Sequence, residues 1–275
     1  MEISILEEKG NSLRFMLKDS NAAFANALRR AMVSEVNTMA IDDVVFIDNS
    51  SMMYDEVVAH RLGLVPLRTD LDAYVPREEC DCGSELGCNK CTAALTVEAE
   101  ATDHTVTIYS GDLRSETDVK PISDKIPITR LAPFQRLKLE AYARLGRGQE
   151  HAKWSPVSAC SYKYLPKVTV RPDNLANPEE VVRWCPRDVY QYDPQYKIIV
   201  KNELNCTLCG DCVEHAVPVD PKKQAPIEID GIDTSFIFYV EVTGSLPSRR
   251  VVQEAASVIG KKSATLEKLI KKKLD

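Results

Sequence analysis

The chain has 275 residues, of which 44% are hydrophobic, so it is long enough for two or three globular domains of ordinary size. Its net charge of -6 and pI near 5.4 argue against a free-standing nucleic-acid binder, because a basic surface supplies most of the affinity for phosphate. It has no apolar run of the length that a bilayer needs and no charged-then-apolar leader at Met1, so we expect a cytoplasmic protein whose nine cysteines favour metal ligation over disulfides.

The amino-terminal segment predicts a β-hairpin followed by an amphipathic helix. Two strand-like runs, Glu2 to Glu7 and Ser12 to Lys18, flank a turn. Asp19 or Ser20 then caps a predicted helix that stops at Asn37. The apolar face of this helix comprises Phe24, Leu28, Ala31, Met32 and Val36.

The next part of the chain predicts one strand, a short helix and then a β-rich region. A strand-like run covers Val44 to Ile47, and a short helix carries apolar residues from Tyr54 to Leu62. Ala94 to Ala101 alternates as a strand, and Thr105 to Tyr109 is expected to pair back onto it as a hairpin. Arg136 to Leu145 alternates as a further strand.

The loop that follows carries basic residues without a catalytic partner. Arg147, His151 and Lys153 are grouped there, but no carboxylate or nucleophile at readable spacing completes an active site. We therefore expect a loop that presents these groups to a neighbouring polypeptide.

The first cysteine group has the composition of a structural zinc site. It reads Cys80-x-Cys82-x5-Cys88-x-x-Cys91, with glycines in the intervening loop. Four thiols in so short a span suit tetrahedral zinc, although the Cys-x-Cys half is tighter than a usual zinc knuckle. Unligated thiols are the alternative, and disulfides rank below both.

The second cysteine group has iron–sulfur spacing. Cys206, Cys209 and Cys212 follow one another at two-residue intervals, and Cys185 precedes a proline. A cysteine run completed by a distant Cys-Pro is typical of the bacterial ferredoxin pattern, so we predict one [4Fe-4S] cluster on these four residues. A [3Fe-4S] cluster is the fallback if Cys185 does not ligate, and zinc on the same four thiols is the competing interpretation.

A second ferredoxin-type cluster has no ligands in this sequence. Counting back from Cys185 by the same spacing reaches Val181, Pro178 and Leu175, and its fourth ligand falls at Ala216. We therefore predict a ferredoxin-like domain over residues 168–227 that keeps one cluster and fills the other site with apolar residues. Cys160 is left over, and we expect a small buried residue there.

The carboxy-terminal segment predicts a strand and a long amphipathic helix. Ser235 to Thr243 is rich in β-branched and aromatic residues, and a helix runs from near Pro247 almost to Asp275. Its apolar stripe includes Val252, Ala255, Ile259, Leu266, Leu269 and Ile270, with lysines at its end. Pattern alone favours docking of this helix on its own sheet, and association with another chain is the alternative.

Two motifs near the amino terminus resemble one protein family. Phe24-Ala25-Asn26-Ala27-Leu28-Arg29-Arg30-Ala31-Met32 and Asp55-Glu56-Val57-Val58-Ala59-His60-Arg61-Leu62-Gly63-Leu64-Val65-Pro66-Leu67 stand in the order found in alpha-like assembly subunits of cellular RNA polymerases. The chain most closely resembles the archaeal D-type members of that family. The family also includes the third-largest subunit of eukaryotic polymerase II and the amino-terminal part of bacterial alpha.

The resemblance implies an α+β fold with a discontinuous architecture. Residues 1–38 and 228–275 would form an alpha-like dimerisation domain, residues 39–167 an inserted β-rich domain with the cysteine loop, and residues 168–227 the ferredoxin-like iron–sulfur domain. The resemblance also reverses the expectation that the terminal helix docks on its own sheet, since in this family that helix packs against a smaller sister subunit.

The implied function is a non-catalytic assembly platform of a DNA-directed RNA polymerase. The chain would heterodimerise with subunit L, recruit subunits N and P, and dock the second-largest subunit, with DNA contacted only through the complex. We expect the dimer contact at Phe24, Leu28, Met32, Val252, Ile259 and Leu266. Arg29, Arg30, His60 and Arg61 are the candidates for large-subunit docking.

Two other functions remain open from the sequence. The chain lacks a readable carboxylate cluster for the paired metal ions of nucleotidyl transfer, so a polymerase active site is not expected in it. A ferredoxin-like electron-transfer protein fused to an unrelated domain is the main alternative. A stand-alone regulator that forms homodimers is the third.

Overall fold

The computed structural model describes residues 1–274 and has a mixed α/β fold. Its strands are β1 (Glu2–Lys9), β2 (Ser12–Lys18), β3 (Asn37–Asn49), β4 (Thr92–Glu100), β5 (Val106–Tyr109), β6 (Arg114–Ser115), β7 (Pro127–Leu131), β8 (Arg136–Arg147), β9 (Val157–Val170), β10 (Tyr190–Asp193), β11 (Lys197–Val200) and β12 (Ile227–Val242). Its α-helices are α1 (Ala22–Ser34), α2 (Asp55–Gly63), α3 (Pro178–Trp184), α4 (Asp211–Glu214) and α5 (Ser248–Leu274).

Helix α1 is capped one or two residues later than the sequence predicted. Asn21 is the cap, because its Oδ1 accepts a 2.8 Å hydrogen bond from the amide N–H of Phe24. A cap side chain binds the amide two or three residues further along the chain, and both Asp19 and Ser20 lie too far before Phe24 for that. Asp19 instead turns the chain with a left-handed φ of 52°. The helix ends at Ser34, and Asn37 begins β3.

Four sheets organise the strands. One four-stranded sheet has the order β1-β2-β12-β9, and a second has the order β3-β8-β4-β6. Two-stranded ribbons are formed by β10 with β11 and by β5 with β7. In the second sheet β8 is one of the two inner strands and runs antiparallel to both β3 and β4.

The predicted hairpin between Ala94–Ala101 and Thr105–Tyr109 is wrong. Strand β4 pairs with β8 and β6, whereas β5 pairs with β7. The turn residues between them do form a bend, but the long strand β8 offers β4 a continuous partner from Arg136 to Arg144. Pairing between distant strands therefore overrides the local turn signal.

The chain divides into two compact units. The first comprises Met1–Leu6, Arg14–Ala25 and Ser161–Phe238. Aromatic rings contribute to its interior: Phe15 stacks on Phe238 with 4.7 Å between ring centroids, and Phe236 contacts Tyr162 edge-on at 5.5 Å. A separate apolar cluster in this unit contains Leu175, Val181, Val189, Tyr190, Ile198, Cys206, Cys212 and Ile227.

The second unit comprises Glu7–Leu13, Asn26–Cys160 and Tyr239–Asp275. Its main core lies beneath the β3-β8-β4-β6 sheet, where α2 contributes Val58 and Leu62 with no exposed surface. The sheet supplies alternating inward residues, among them Leu137, Leu139 and Ala141 of β8. Because successive side chains of β8 point to opposite sides of the sheet, one face of this strand is buried and the other faces solvent.

Candidate metal centres and assembly surfaces

The first cysteine group forms a closed loop between a short 3-10 turn, Arg77–Glu79, and strand β4. The carbonyl of Cys88 accepts hydrogen bonds from the amides of Cys91, at 2.9 Å, and Thr92, at 2.8 Å. This tight turn aims the Cys88 and Cys91 thiols at the same point. The ligand atoms of Cys80, Cys82, Cys88 and Cys91 all lie within 4.8 Å of one another.

The sulfur spacing in this loop matches a single tetrahedral metal ion. The Sγ atoms of Cys80 and Cys88 are 3.7 Å apart, and Cys91 Sγ lies 3.9 Å from those of Cys82 and Cys88. Thiolates bound at about 2.3 Å to a central zinc ion are separated by about 3.8 Å along each edge of the tetrahedron. A disulfide needs sulfurs about 2.05 Å apart, and all nine cysteines are free.

The four thiols do not ionise equally. Burial raises the pKa of Cys91, but the Cys88 amide, the Thr92 hydroxyl and the neighbouring thiols outweigh it and lower that pKa to about 7. The Cys82 amide lowers the pKa of Cys80, but desolvation and hydrogen bonds with the other thiols raise it to about 12. Four thiolates this close repel one another, so a bound cation is needed to hold all of them deprotonated.

Glycine is required at one position in this loop. Gly87 has φ +84°, and a Cβ there would overlap the Thr92 side chain and lie 3.0 Å from Cys91 Sγ. Gly83 also has a positive φ, +61°, but a Cβ there would meet no atom within 4 Å. The close approach of the backbone to the Cys91 sulfur therefore depends on Gly87.

The second cysteine group lies on three segments of the first unit. Cys185 follows α3, Cys206 follows the 3-10 turn Glu203–Asn205, and Cys212 belongs to α4. Cys206 and Cys212 are buried, whereas Cys209 is exposed. Gly210, with φ +89°, turns the chain into α4 between two of the cysteines.

These four thiols influence one another electrostatically. Burial raises the pKa of Cys212, and the charges of Cys185, Cys206 and Cys209 add to that rise. The hydroxyl of the buried Tyr190 lies 3.2 Å from Cys212 Sγ. Within residues 1–274, the first cysteine group is the only one whose thiols lie close enough together to bind a single metal ion. A four-iron cluster places each cysteine on a different iron, so a wider spacing is compatible with it.

The positions that would have carried a second cluster lie in or beside an apolar core. Leu175 and Val181 are fully buried there, and Ala216 is partly buried against the same core. Pro178 occupies the first turn of α3, where its missing N–H costs no hydrogen bond. Leu175 also forms a β-bridge with Pro218.

The predicted dimer residues differ widely in exposure. Leu28 is 2% exposed and Met32 fully buried, so both belong to the core of the isolated chain. Phe24, Val252 and Ile259 are half-buried, whereas Leu266 is 59% exposed. Of this set, the half-buried and exposed side chains are the ones with surface to offer a partner.

The terminal helix α5 has two different halves. Val251 and Ala255 in its first half are buried, but every residue of Lys261–Lys273 is exposed. A groove of about 200 Å³ lies between α1 and α5, lined by Ala27, Arg30, Ala31, Ser34, Glu35, Val258, Ile259 and Lys262. Exposed leucine and isoleucine on the second half include Leu269 at 58% and Ile270 at 49%.

The basic residues proposed for large-subunit docking are partly held in place. Arg29 donates hydrogen bonds to Asn26 Oδ1 at 3.0 and 3.3 Å, and Arg61 donates to the carbonyl of Ile128 at 2.9 Å. Arg30 and His60 are exposed. The structure places Arg61 on α2 and the other two arginines on α1.

The basic loop after β8 binds its own chain. Lys153 Nζ and Arg144 Nε each lie 2.6 Å from a carboxylate oxygen of Asp42, and both cations lie over the ring of Trp154. Arg147 donates to Asn37 Oδ1 at 3.2 Å. Arg147 and Lys153 therefore hold the loop on β3 and are not free for a neighbouring polypeptide, contrary to the sequence-based expectation. Both partners of Asp42 lie more than a hundred positions away in the chain, so nothing in the local sequence marks this cluster.

Comparison with known proteins gives consistent matches along the chain. The model of the RNA polymerase Rpb3/RpoA insert domain matches residues 39–160. The chain is 41% identical over 274 residues to DNA-directed RNA polymerase subunit Rpo3 of Archaeoglobus fulgidus, covering 98% of this chain and 97% of that protein. It is 38% identical over 266 residues to the Rpo3 subunit of Methanosphaera stadtmanae, covering 96% of each.

A eukaryotic protein also matches at nearly full length. The chain is 35% identical over 286 residues to DNA-directed RNA polymerase II subunit rpb3 of Dictyostelium discoideum, covering 97% of this chain and 93% of that protein. Over residues 1–274, no helix combines the length and the apolarity needed to cross a bilayer.

Proposed function

Because the chain belongs to the Rpo3/Rpb3 family of DNA-directed RNA polymerase subunits, we propose that it is the non-catalytic assembly platform of an archaeal polymerase. In residues 1–274 the only compact group of possible metal ligands consists of cysteines, which do not suit the paired magnesium ions of nucleotidyl transfer. The proposed work of this chain is to bring other subunits together in the cytoplasm, where the polymerase meets its DNA.

The observation that carries this proposal is the uncovered second half of α5. From Lys261 to Lys273 the helix has no buried side chain, yet Leu266, Leu269 and Ile270 repeat at helical spacing. Apolar residues in such a row are stabilised by a partner helix. We propose that the partner is subunit L, which would pack along α5 and the groove beside α1.

The proposed dimerisation domain is discontinuous. Residues 1–38 and 228–275 supply β1, β2, α1, β12 and α5, and the strands among them belong to one sheet together with β9. Residues 39–167 would form the inserted β-rich domain, which overlaps the matched insert-domain model. We further propose that subunits N and P and the second-largest subunit dock on this platform, the last through Arg29, Arg30, His60 and Arg61.

We propose zinc at Cys80, Cys82, Cys88 and Cys91. The sulfur separations of 3.7 to 3.9 Å support a tetrahedral ion, and the low pKa of Cys91 supplies the first thiolate. A structural zinc ion there would fix the loop that leads into β4.

We propose one [4Fe-4S] cluster at Cys185, Cys206, Cys209 and Cys212, with [3Fe-4S] as the fallback. The ferredoxin-like assignment of residues 168–227 is supported by the apolar filling at Leu175, Val181 and Ala216, which replaces a second ligand set. When bound, the cluster would cross-link α3, the Cys206 turn and α4. The electron-transfer alternative is not supported, because the relatives match over nearly the whole chain as polymerase subunits.

One experiment tests the assembly function. The tagged chain is expressed in an archaeal host and purified under anaerobic conditions, and the bound chains are identified by mass spectrometry. We expect subunits L, N and P and the large polymerase subunits in fixed ratio, whatever the oxidation state of the iron. A homodimer, or a chain purified alone, would contradict the proposal.

A further inference from the structure

Three neighbouring strands of the β3-β8-β4-β6 sheet meet at one end of the insert region. Strand β3 ends at Asn49, β8 begins at Arg136, and β4 ends at Glu100. The amide of Ser50 donates a 3.0 Å hydrogen bond to the carbonyl of Arg136, and the amide of Phe134 donates at 2.6 Å to the carbonyl of Ala101. The loops after β3 and before β8 therefore lie side by side.

These loops expose three large apolar side chains. Met52 is 87% exposed, Tyr54 79% and Phe134 87%. Phe134 also has a left-handed φ of 66°, which a phenylalanine adopts only with strain. Glycine would adopt this backbone angle without strain. The chain thus keeps a strained residue whose phenyl ring is not part of the hydrophobic core.

Hydrogen bonds hold the loops in shape. Asn49 Nδ2 donates to the carbonyl of Met53 at 3.0 Å, and Ser51 Oγ donates to Asn49 Oδ1 at 2.7 Å. On the other loop, Gln135 Oε1 accepts from the amide of Ala132 at 2.8 Å. The apolar side chains are therefore presented on braced loops, which lowers the entropy lost on binding.

The rim of this surface is acidic. Asp48, Glu56 and Glu100 are exposed, and within residues 1–274 none of them forms an ion pair with lysine or arginine. The nearby cation Arg136 is bound to Glu98 at 2.7 Å, and the charges of Glu100 and Asp48 also act on it, so the carboxylates of this rim outnumber it. This charge opposes nucleic acid and anionic lipid, and it complements a basic protein surface.

We propose that Met52, Tyr54 and Phe134, here named the Phe134 surface, dock another polymerase subunit through an apolar pocket rimmed with lysine or arginine. The inference rests on the proposed function and names a contact distinct from the α1 and α5 surfaces. Phe134 is the central anchor, since aromatic residues held rigidly at a contact contribute most of the affinity.

The test uses full-length chain and separately purified polymerase subunits, with the affinity for each subunit measured by biolayer interferometry. Phe134→Gly removes the ring and relieves the left-handed backbone, so we expect a melting temperature equal to or above that of the wild type. We also expect at least a tenfold loss of affinity for one subunit. Tyr196→Ser, at an exposed aromatic between β10 and β11, serves as the matched control and should bind normally.

The charge of the rim is tested separately. The double variant Asp48→Lys, Glu100→Lys should weaken the same interaction, and wild-type affinity should fall as salt is raised. Wild-type affinity of Phe134→Gly for every subunit would overturn the inference while leaving the assembly function standing. Loss of a homodimer in that variant would assign the surface to a second copy and also overturn it. A wild-type chain that binds no polymerase subunit would remove both proposals.

Discussion

Lys262 on α5 reaches Glu35 just beyond the end of α1, with 2.5 Å between its Nζ and Glu35 Oε1. Glu35 is largely covered, whereas Lys262 is mostly exposed. The ion pair fastens the middle of α5 to the neighbouring helix at the edge of the groove. The exposed apolar row of α5 begins just beyond it, at Leu266.

Leu28 and Leu266 were both predicted to lie in the dimer contact, and they should respond differently to an introduced charge. Leu266→Asp adds a carboxylate to an exposed position, so we expect the melting temperature of the isolated chain to change little and binding of subunit L to be lost. Leu28→Asp buries an unpaired charge in the core and should unfold the chain, at a cost of several kcal/mol. Thermal melts and gel filtration with purified subunit L separate the two effects. Normal heterodimer yield for Leu266→Asp would exclude this face of α5 as the contact.

The Asp42 cluster should contribute to stability in a pH-dependent way. Desolvation raises the pKa of Asp42, but the hydrogen bonds and charges of Lys153 and Arg144 outweigh it and lower that pKa below the ordinary 3.8. Asp42→Asn leaves Lys153 without its anion and Arg144 with only Glu150, at 3.6 Å, and should cost about 2 kcal/mol at pH 7. Asp43→Asn, with only a 3.8 Å contact to Arg77, should cost less than about 0.5 kcal/mol.

The stability difference between wild type and Asp42→Asn should depend on pH, because the folded protein lowers the pKa of Asp42. A carboxyl group with a lowered folded pKa stabilises the fold above its unfolded pKa, and this contribution disappears as pH falls through the folded value. The gap between wild type and Asp42→Asn should therefore shrink below pH 3.8. Urea unfolding of both proteins at pH 7 and at about pH 3 measures this difference in the free energy of unfolding. An equal gap at both values would show that the Asp42 charge is not the cause.

The two glycines of the first cysteine loop provide a matched pair. Gly87→Ala forces a Cβ against Thr92 and the Cys91 sulfur, so we expect zinc affinity to fall by tenfold or more. Gly83→Ala meets no neighbouring atom and should cost only the strain of its φ, about 1 kcal/mol. Competition with a chromophoric chelator reports both affinities. Equal losses in the two variants would place the requirement in the backbone angle and not in the approach to Cys91.

The iron site is tested by removal of its exposed ligand. Cys209→Ser, in protein purified anaerobically, should lose the broad visible absorption of a four-iron cluster and should loosen the first unit, because the segments around Cys185 and Cys206 lose their cross-link. Cys160→Ser should keep the absorption, since Cys160 lies outside the four-cysteine set. Iron and zinc analysis of both variants accompanies the spectra. Full absorption in Cys209→Ser would show that the ligand assignment is wrong.

The structure shows why some features could be predicted from the sequence and others could not. The cysteine loop at Cys80 was predictable because its ligands are neighbours in the chain. Helices α1 and α5 were likewise predictable from periodicity, but periodicity does not say what covers an apolar face. Leu28 proved to be buried within the chain, whereas Leu266 is exposed.

Contacts between distant residues were the main limit. Asp42 meets Arg144 and Lys153 across 102 and 111 positions, and nothing in the local sequence pairs them. The same limit explains the wrong hairpin, since β4 pairs with the distant β8. The left-handed Phe134 could not be recognised either, because its sequence surroundings contain no glycine to mark a positive φ.

The bare half of α5 has a consequence for how the polymerase would be built. Lys261–Lys273 spans about 20 Å along its axis, and a helical segment of this length is only marginally stable in water without lateral support. Winding of this tail would thus be coupled to arrival of the sister chain, and circular dichroism should register added helix on mixing. Molecules without the sister chain would keep a frayed helix end that proteases can reach. Chains produced in excess of that partner would therefore be degraded first.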